Sequence, residues 1–235
     1  MLVTLAAALA LATASNVIDL TEANFEATMA EKPLMMVEFF APWCGHCKAL
    51  APEWEKVAKA FANEPNCVVA ALDADKHREI GSKYDVSGFP TIKAFAKDDK
   101  SGEEKYTGGR TADDIVEYLN TQCGTFRTTD GSLTSAAGRV AELDELAAQF
   151  LEADDATRAS LIDAAKALFE SYDGAFPKAA KFYSQAMTKI VARGDDYVET
   201  EPARLTRMID SGSLTGAKVD EFTLRLNVLA AFTEA

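Results

Sequence analysis

Two cysteines separated by two residues, Cys44 and Cys47 in the run WCGHCK (residues 43–48), are the residues of this chain best suited to chemistry. Three chemistries use such a pair. A structural zinc site would need four ligands drawn from Cys and His, and although His46 and His77 are available, there is no second closely spaced pair. A purely structural disulfide across so small a ring would gain little from loop-closure entropy. Reversible thiol–disulfide exchange fits better. It needs one thiol of lowered pKa, which is both a thiolate at neutral pH and a good leaving group, and a second thiol that resolves the mixed disulfide. The pair follows the apolar run LMMVEFFAP and precedes a helical stripe. Cys44 is therefore expected at a helix N-terminus, where unpaired N–H groups and the positive end of the macrodipole favour a thiolate. His46 adds polarity to the same turn, and Cys47, one turn in, is the expected buried resolving thiol. A lowered pKa on Cys44 destabilises the disulfide relative to the dithiol, which points to an oxidant or isomerase more than a reductant.

The elements that must position this pair are legible around it. From Ser15 to about Gly124 strands and helices alternate. NVIDLT reads as a short strand with Thr21 placed to cap the helix EANFEATMA. Leu34 to Phe40 is continuous and apolar apart from Glu38, as in a central strand covered on both faces. A helix from about Cys44 to Ala62 carries Leu50, Trp54, Val57, Ala58 and Phe61 on one stripe, and Pro52 inside it should kink it. CVVAALDA is a second buried strand and REIGSKYDV a short helix. TIKAFA and EEKYTGG read as a hairpin, and TADDIVEYLNTQ as a closing helix with a capping-box-like start at Thr111 and Asp114. The order β-α-β-α-β-α-β-β-α predicts a three-layer α/β domain with a mixed sheet over residues 15–124. GTFRTTDGSLTSAAG marks a boundary, with a linker at 125–137. Beyond it, from 138 to 235, helical patterns cover about 139–153, 156–172, 176–193, 195–211 and 216–233, an all-helical bundle. The expected stripes are Phe182, Ala186, Met187, Ile190 and Val191 in the third helix, and Phe222, Leu226, Leu229 and Phe232 in the fifth.

Composition sets the setting. With 235 residues, 48% of them hydrophobic and 26% charged, the chain can build one large or two modest cores. A net charge of −13 without a basic cluster excludes a nucleic-acid partner and favours solubility. Residues 1–14, within MLVTLAAALALATAS, are too short to span a bilayer and end in a small-x-small pattern, which reads as a cleaved secretory signal peptide despite the absence of Lys or Arg. No other stretch reads as a membrane span. A secretory compartment permits disulfides. The C-terminal NVLAAFTEA carries no Lys-Asp-Glu-Leu type retrieval signal, so secretion stays open beside retention.

VEFFAPWCGHCKALAPEWEKVA, DVSGFPTIKAF and YTGGRTADDIVEYL closely resemble the catalytic thioredoxin-like domain of protein disulfide isomerases over nearly all of residues 16–122. GSLTSAAGRV, GDDYVETEPARLTRMI and KVDEFTLRLNVLAAF resemble the D-type helical domain at the C-terminus of that family's D subfamily. Members of the subfamily often carry two catalytic domains, and one is present here. The resemblance implies a site comprising Cys44, Gly45, His46 and Cys47, with the Gly-His dipeptide matching the isomerase pattern. It implies a cis-proline at Pro90, flanked by Phe89 and Thr91, that faces the cysteines and pairs with extended substrate, and an apolar rim of Trp43 and Phe89. Trp43 and Phe89 could equally be core aromatics. The resemblance further implies that Glu38 relays the proton of the second thiol and that Arg110 favours its thiolate during reoxidation. Desolvation should raise the pKa of Glu38 towards neutrality. A strand residue reaching water and a solvated helix-start arginine are the plainer alternatives. The family lysine that pairs with the acid is replaced by Ala71, which predicts a Glu38 more often protonated than in relatives. Lys48 either supports the thiolate or is simply exposed. Cys67 reads as a buried, inert residue. The sequence does not place Cys67 and Cys123 close together, so a second disulfide stays open, and without one Cys123 would be a stray thiol near the linker.

These features lead to an expected thiol–disulfide oxidoreductase of the endoplasmic reticulum lumen that acts on unfolded or misoxidised secretory proteins. It would need no cofactor, and glutathione or an upstream oxidase would reoxidise it. A chaperone or escort binding clients through the helical domain, and a thioredoxin-like reductase, are the alternatives.

Overall fold

The computed structural model describes residues 15–96 and 104–233. The expected signal peptide lies outside them. Two compact units divide the chain, Met1–Thr111 and Ala112–Ala235.

The first unit begins with β1 (Ile18–Leu20), α1 (Phe25–Glu31), β2 (Leu34–Phe40), α2 (Gly45–Ala60), β3 (Cys67–Asp73), α3 (Arg78–Lys83) and β4 (Thr91–Ala96). The sheet order is β1-β3-β2-β4, with β1, β3 and β2 parallel and β4 antiparallel to β2. The mixed sheet is the expected one. β2 is interior to it and buried on both faces, which is why its sequence runs apolar without alternation. Its odd positions, Met35, Val37 and Phe39, join Phe25 and Met29 of α1, Tyr84 and Phe95 in one core. The rings of Phe25, Phe39, Tyr84 and Phe95 meet at centroid distances of 5.1–6.4 Å. Its even positions Glu38 and Phe40 line a cleft shared with α2. On that side Leu50, Trp54, Val57, Ala58 and Phe61 are all buried as their spacing predicts, and the helix runs through Pro52.

Three local expectations change. Thr21 does not cap α1: Asn24 occupies the N-cap, and its side chain instead accepts the Thr21 N–H at 2.7 Å. The hairpin partner of β4 shrinks, among the described residues, to a bridge between Lys93 and Lys105, flanked by the Tyr106 N–H donating to the Ile92 carbonyl. Cys67 is buried but not the inert thiol expected, and of the two states left open for Cys123 the free one does not hold. Both are disulfide-bonded. Nothing in their spacing signalled this.

The second unit holds α4 (Ala112–Cys123), α5 (Ala141–Phe150), α6 (Asp155–Glu170), α7 (Pro177–Arg193), α8 (Tyr197–Asp210) and α9 (Gly216–Ala230). The sequence boundary after Gly124 and this division differ by α4. α7 is the central helix and packs against α5, α6, α8 and α9. Phe182, Ala186, Met187 and Ile190 are buried as its stripe predicts, whereas Val191 is exposed. One residue beyond Ile190 is a 100° turn of the helix, enough to carry the side chain off the stripe. Tyr183 is fully buried, and its hydroxyl donates to Asp144, which Arg139 also holds.

Residues 125–137, expected as a linker, form a turned loop held onto α9. Arg127, buried to 4%, donates to both carboxylate oxygens of Asp220 at 2.8 and 2.6 Å and to the Gly131 carbonyl. Asn227 donates to the Thr134 and Ala137 carbonyls. Gly138 has φ +76°, and a Cβ there would meet Ala179 and Leu224 at 2.8 Å, so only glycine fits. Removing one partner of a buried bidentate pair leaves the other charge uncompensated. Asp220→Ala is therefore expected to destabilise the second unit by about 3 kcal/mol, read as a lowered midpoint in urea unfolding, and an unchanged midpoint would contradict the anchoring role.

Candidate functional site

β2 ends at Phe40, the chain turns through Ala41 to Trp43 with the Cys44 N–H bonded to the Ala41 carbonyl, and α2 begins. Cys44 is the N-cap. Its backbone is extended (φ −74°, ψ 120°), and its sulfur accepts the Cys47 N–H at 3.4 Å, the place a Ser or Asp oxygen takes in an ordinary cap. No acidic residue lies in the first turn of α2 to oppose a negative sulfur. Both cysteines are free thiols.

By area the two cysteines differ little, 7% exposed against 4%. Electrostatics separates them. Hydrogen bonds from the Cys47 thiol and backbone, and then from the His46 backbone, lower the pKa of Cys44. Burial pushes the Cys47 thiol up to about 12. One sulfur is thus suited to attack and leave, and the other stays protonated until a base acts.

The remaining expected residues gather at either side of the pair. The Phe89–Pro90 bond is cis, and the Cys44 sulfur lies 3.6 Å from the Phe89 carbonyl oxygen. Thr91 is buried, and its hydroxyl donates to the Gly88 carbonyl at 2.8 Å, tying the turn. Trp43 is 66% exposed and meets Phe89 edge-on at 5.8 Å, so it is a surface aromatic and not a core one. Gly45 and His46 are exposed. Glu38 is buried on the opposite side, with Oε1 lacking a hydrogen-bond partner. Desolvation raises its pKa to about 7, and the Arg110 charge pulls it down more weakly. Arg110 itself is exposed, as is Lys48. Ala71 is the register partner of Glu38 on β3, so the methyl that stands where a lysine was expected adjoins the acid directly.

One contributor was not read from the sequence. Asp75 accepts the Trp43 indole N–H at 3.0 Å and binds Arg78 at 3.0 Å, while its own N–H is held by the Asp73 carboxylate. No motif marks it, because the contact joins segments far apart in the chain.

The Thioredoxin family description matches residues 16–121, and that of the endoplasmic reticulum protein ERp29 C-terminal domain matches residues 138–232. The chain is 44% identical over 220 residues to protein disulfide isomerase-like 2-2 of Oryza sativa subsp. japonica. It is 43% identical to the probable protein disulfide-isomerase A6 of Medicago sativa and 41% identical to protein disulfide-isomerase 1 of Dictyostelium discoideum. The chain is thus similar, over nearly all of its length, to protein disulfide isomerases. Its thioredoxin-plus-ERp29 arrangement agrees with the D-type members. Each match covers 93% of the chain, which spans 59–60% of the length of these relatives.

Two outcomes follow from the geometry of this cysteine site. Glu38 has a folded pKa of about 7, above its ordinary 4.5, so ionising it opposes folding. Its contribution falls as pH rises from about 4.5 through 7, reaching a cost on the order of 3 kcal/mol. Glu38→Gln should remove this dependence. Relative to the variant, the reduced wild type should lose stability in urea between about pH 5 and pH 8, and a constant difference would refute the raised pKa. Separately, Asp75→Ala should free the indole and raise KM for an apolar cysteine peptide by about threefold to tenfold, the worth of one lost hydrogen bond, while reaction with glutathione disulfide stays unchanged. Asp75→Asn, which keeps an acceptor, should restore the wild-type KM.

Proposed function

We propose that this chain forms and rearranges disulfide bonds in unfolded or misoxidised secretory proteins of the endoplasmic reticulum lumen. The observation that carries the reading is the asymmetric pair: Cys44 capping α2 with lowered pKa, and Cys47 buried behind it at about 12.

In oxidation, a client thiolate attacks the Cys44 sulfur of the Cys44–Cys47 disulfide, and Cys47 leaves as a thiolate that takes up a proton. A second client thiolate attacks the client sulfur of the mixed disulfide, and Cys44 leaves. The client is oxidised by two electrons and the pair is reduced. In isomerisation Cys44 attacks a client disulfide, and either a client thiol or Cys47 releases it. Cys47 attacks only after losing its proton, and Glu38 is the base suited to take it, with Arg110 biasing that acid towards the carboxylate. Trp43 and Phe89 offer apolar contact to an extended client beside the Phe89–Pro90 turn. Glutathione or an upstream oxidase restores the disulfide. The absence of a lysine at Ala71 favours a Glu38 that is protonated for a larger fraction of the time.

The equilibrium between the pair and glutathione tests the direction of electron flow. A potential near roughly −180 mV is expected of an oxidant or isomerase, and one near roughly −270 mV would make the protein a reductant instead. Cys47→Ala should accumulate mixed disulfides on Cys44, and Cys44→Ala should form none. A Cys44/Cys47 double alanine variant that retains full client-folding activity would favour the escort reading.

A further inference from the structure

The cleft beneath Cys47 is a built site with one unmet partner. Its inner end is formed by Glu38, Ala41, Cys47 and Trp54, all buried, and its mouth by Pro42, Lys48, Ala51 and Glu55, all exposed. The volume is about 220 Å³. It contains none of Trp43, Cys44, Phe89 or Pro90, so the client rim and the cleft are separate openings onto the same redox pair.

Within the cleft the acid is stranded. Glu38 Oε1 is buried without a hydrogen-bond partner, whereas buried polar atoms in folded proteins nearly always have one. The residue beside it across the β2–β3 ladder, Ala71, has no donor to offer. The walls of Phe40, Ala41, Pro42, Ala51 and Trp54 are apolar, which suits a hydrocarbon stem, and the mouth carries one charge of each sign, Glu55 and Lys48, leaving Glu38 as the uncompensated acid inside. Among the described residues no three His, Cys, Asp or Glu side chains are grouped to hold a metal ion, and the apolar walls favour an organic donor as the complementary head.

We propose that this cleft binds a primary alkylammonium group, its N–H bonds directed to Glu38 Oε1 and its stem lying against the apolar walls, and that the occupant slows resolution by Cys47 without covering Cys44. The first half stands on the geometry alone. The second rests on the role of Glu38 proposed above. Unlike the Arg110 charge, which makes no hydrogen bond to Oε1, an ammonium hydrogen-bonded to Oε1 occupies the oxygen that would receive the Cys47 proton, so that proton has nowhere favourable to go and the mixed disulfide on Cys44 persists. The same chemistry could arrive as a free small amine or as a lysine side chain of a bound chain.

The probes are n-butylammonium, N-acetyl-lysine methylamide and, as a neutral control, n-butanol, titrated into the reduced protein in phosphate buffer. The Ala71 methyl and Glu38 carboxyl resonances report binding. Saturable shifts are expected with n-butylammonium and not with n-butanol. Its affinity should rise as pH increases from about 6 to 8, because the ligand competes with the proton on Glu38. Glu38→Gln should abolish the shift of the Ala71 methyl, and Ala71→Leu should abolish that of the Glu38 carboxyl by filling the cleft. A shift with butylammonium but none with the lysine analogue assigns the site to free amines, and the reverse assigns it to side chains. No saturable shift with either amine, an equal response to butanol, or binding retained in Glu38→Gln would overturn the site and leave water as its only occupant.

The second half is read as the rate at which Cys47 releases a glutathione mixed disulfide on Cys44. Saturating amine is expected to slow it by about tenfold, within the usual worth of a general base, while the initial attack of Cys44 on glutathione disulfide is unchanged. Binding without slower release, where Glu38→Gln alone does slow release, overturns the regulatory half. If Glu38→Gln also fails to slow release, the proposed role of Glu38 is what falls, and binding still stands or falls by the resonances.

Discussion

An amide N–H pointed at a sulfur organises this molecule. The Cys47 N–H meets Cys44 because Cys44 is the first residue before α2 and the helix has no earlier carbonyl for that donor. Every helix has such orphaned donors, and they are usually met by an oxygen. Placing a thiol there converts a structural necessity into an electronic effect, since the donors favour a negative sulfur. The remainder of the first unit serves to put this helix start at the end of a buried strand. β2 supplies the rigid base and the aromatic cluster fixes its lower face. The turn before Pro90 brings a carbonyl oxygen to 3.6 Å from the sulfur.

Burial acts in the same sense on the two ionisable groups behind that sulfur and in opposite senses on their chemistry. Desolvation raises both the Cys47 thiol and the Glu38 carboxyl, because the water each charged form loses is only partly made up by the Ala41 backbone hydrogen bond to Cys47 and by the Arg110 charge near Glu38. A raised thiol is a poorer acid and a raised carboxyl is a better base. The proton is thereby held near the pair over the physiological range. Arg110 moderates the acid from the surface but does not outweigh burial.

Most of the fold could be read from the sequence because its signals are local. The α2 stripe, the apolar run of β2 and the helices of the second unit follow from side-chain periodicity, and their boundaries lie within a few residues of the patterns. The cysteine pair, Glu38 and Pro90 were legible through spacing and resemblance. What escaped was set by contacts between distant segments: Asp75 on the Trp43 indole and Arg127 on Asp220. The spacing of Cys67 and Cys123 left their oxidation open. Val191 escaped for a different reason, since a valine next to a buried isoleucine carries no mark of which one faces the core.

The alternation along β2 also limits how the gene can vary. Val37 and Phe39 face the aromatic core while Glu38 and Phe40 face α2, and the strand is paired along both edges. Inserting or deleting one residue inside it would reverse these directions together. The carboxyl would then enter the aromatic cluster and a phenyl ring would take its place beneath the thiol. Point substitutions along β2 can be absorbed by repacking, but a change in its length would cost core and chemistry at once. Length changes in natural variants of this chain should therefore fall outside Leu34–Phe40.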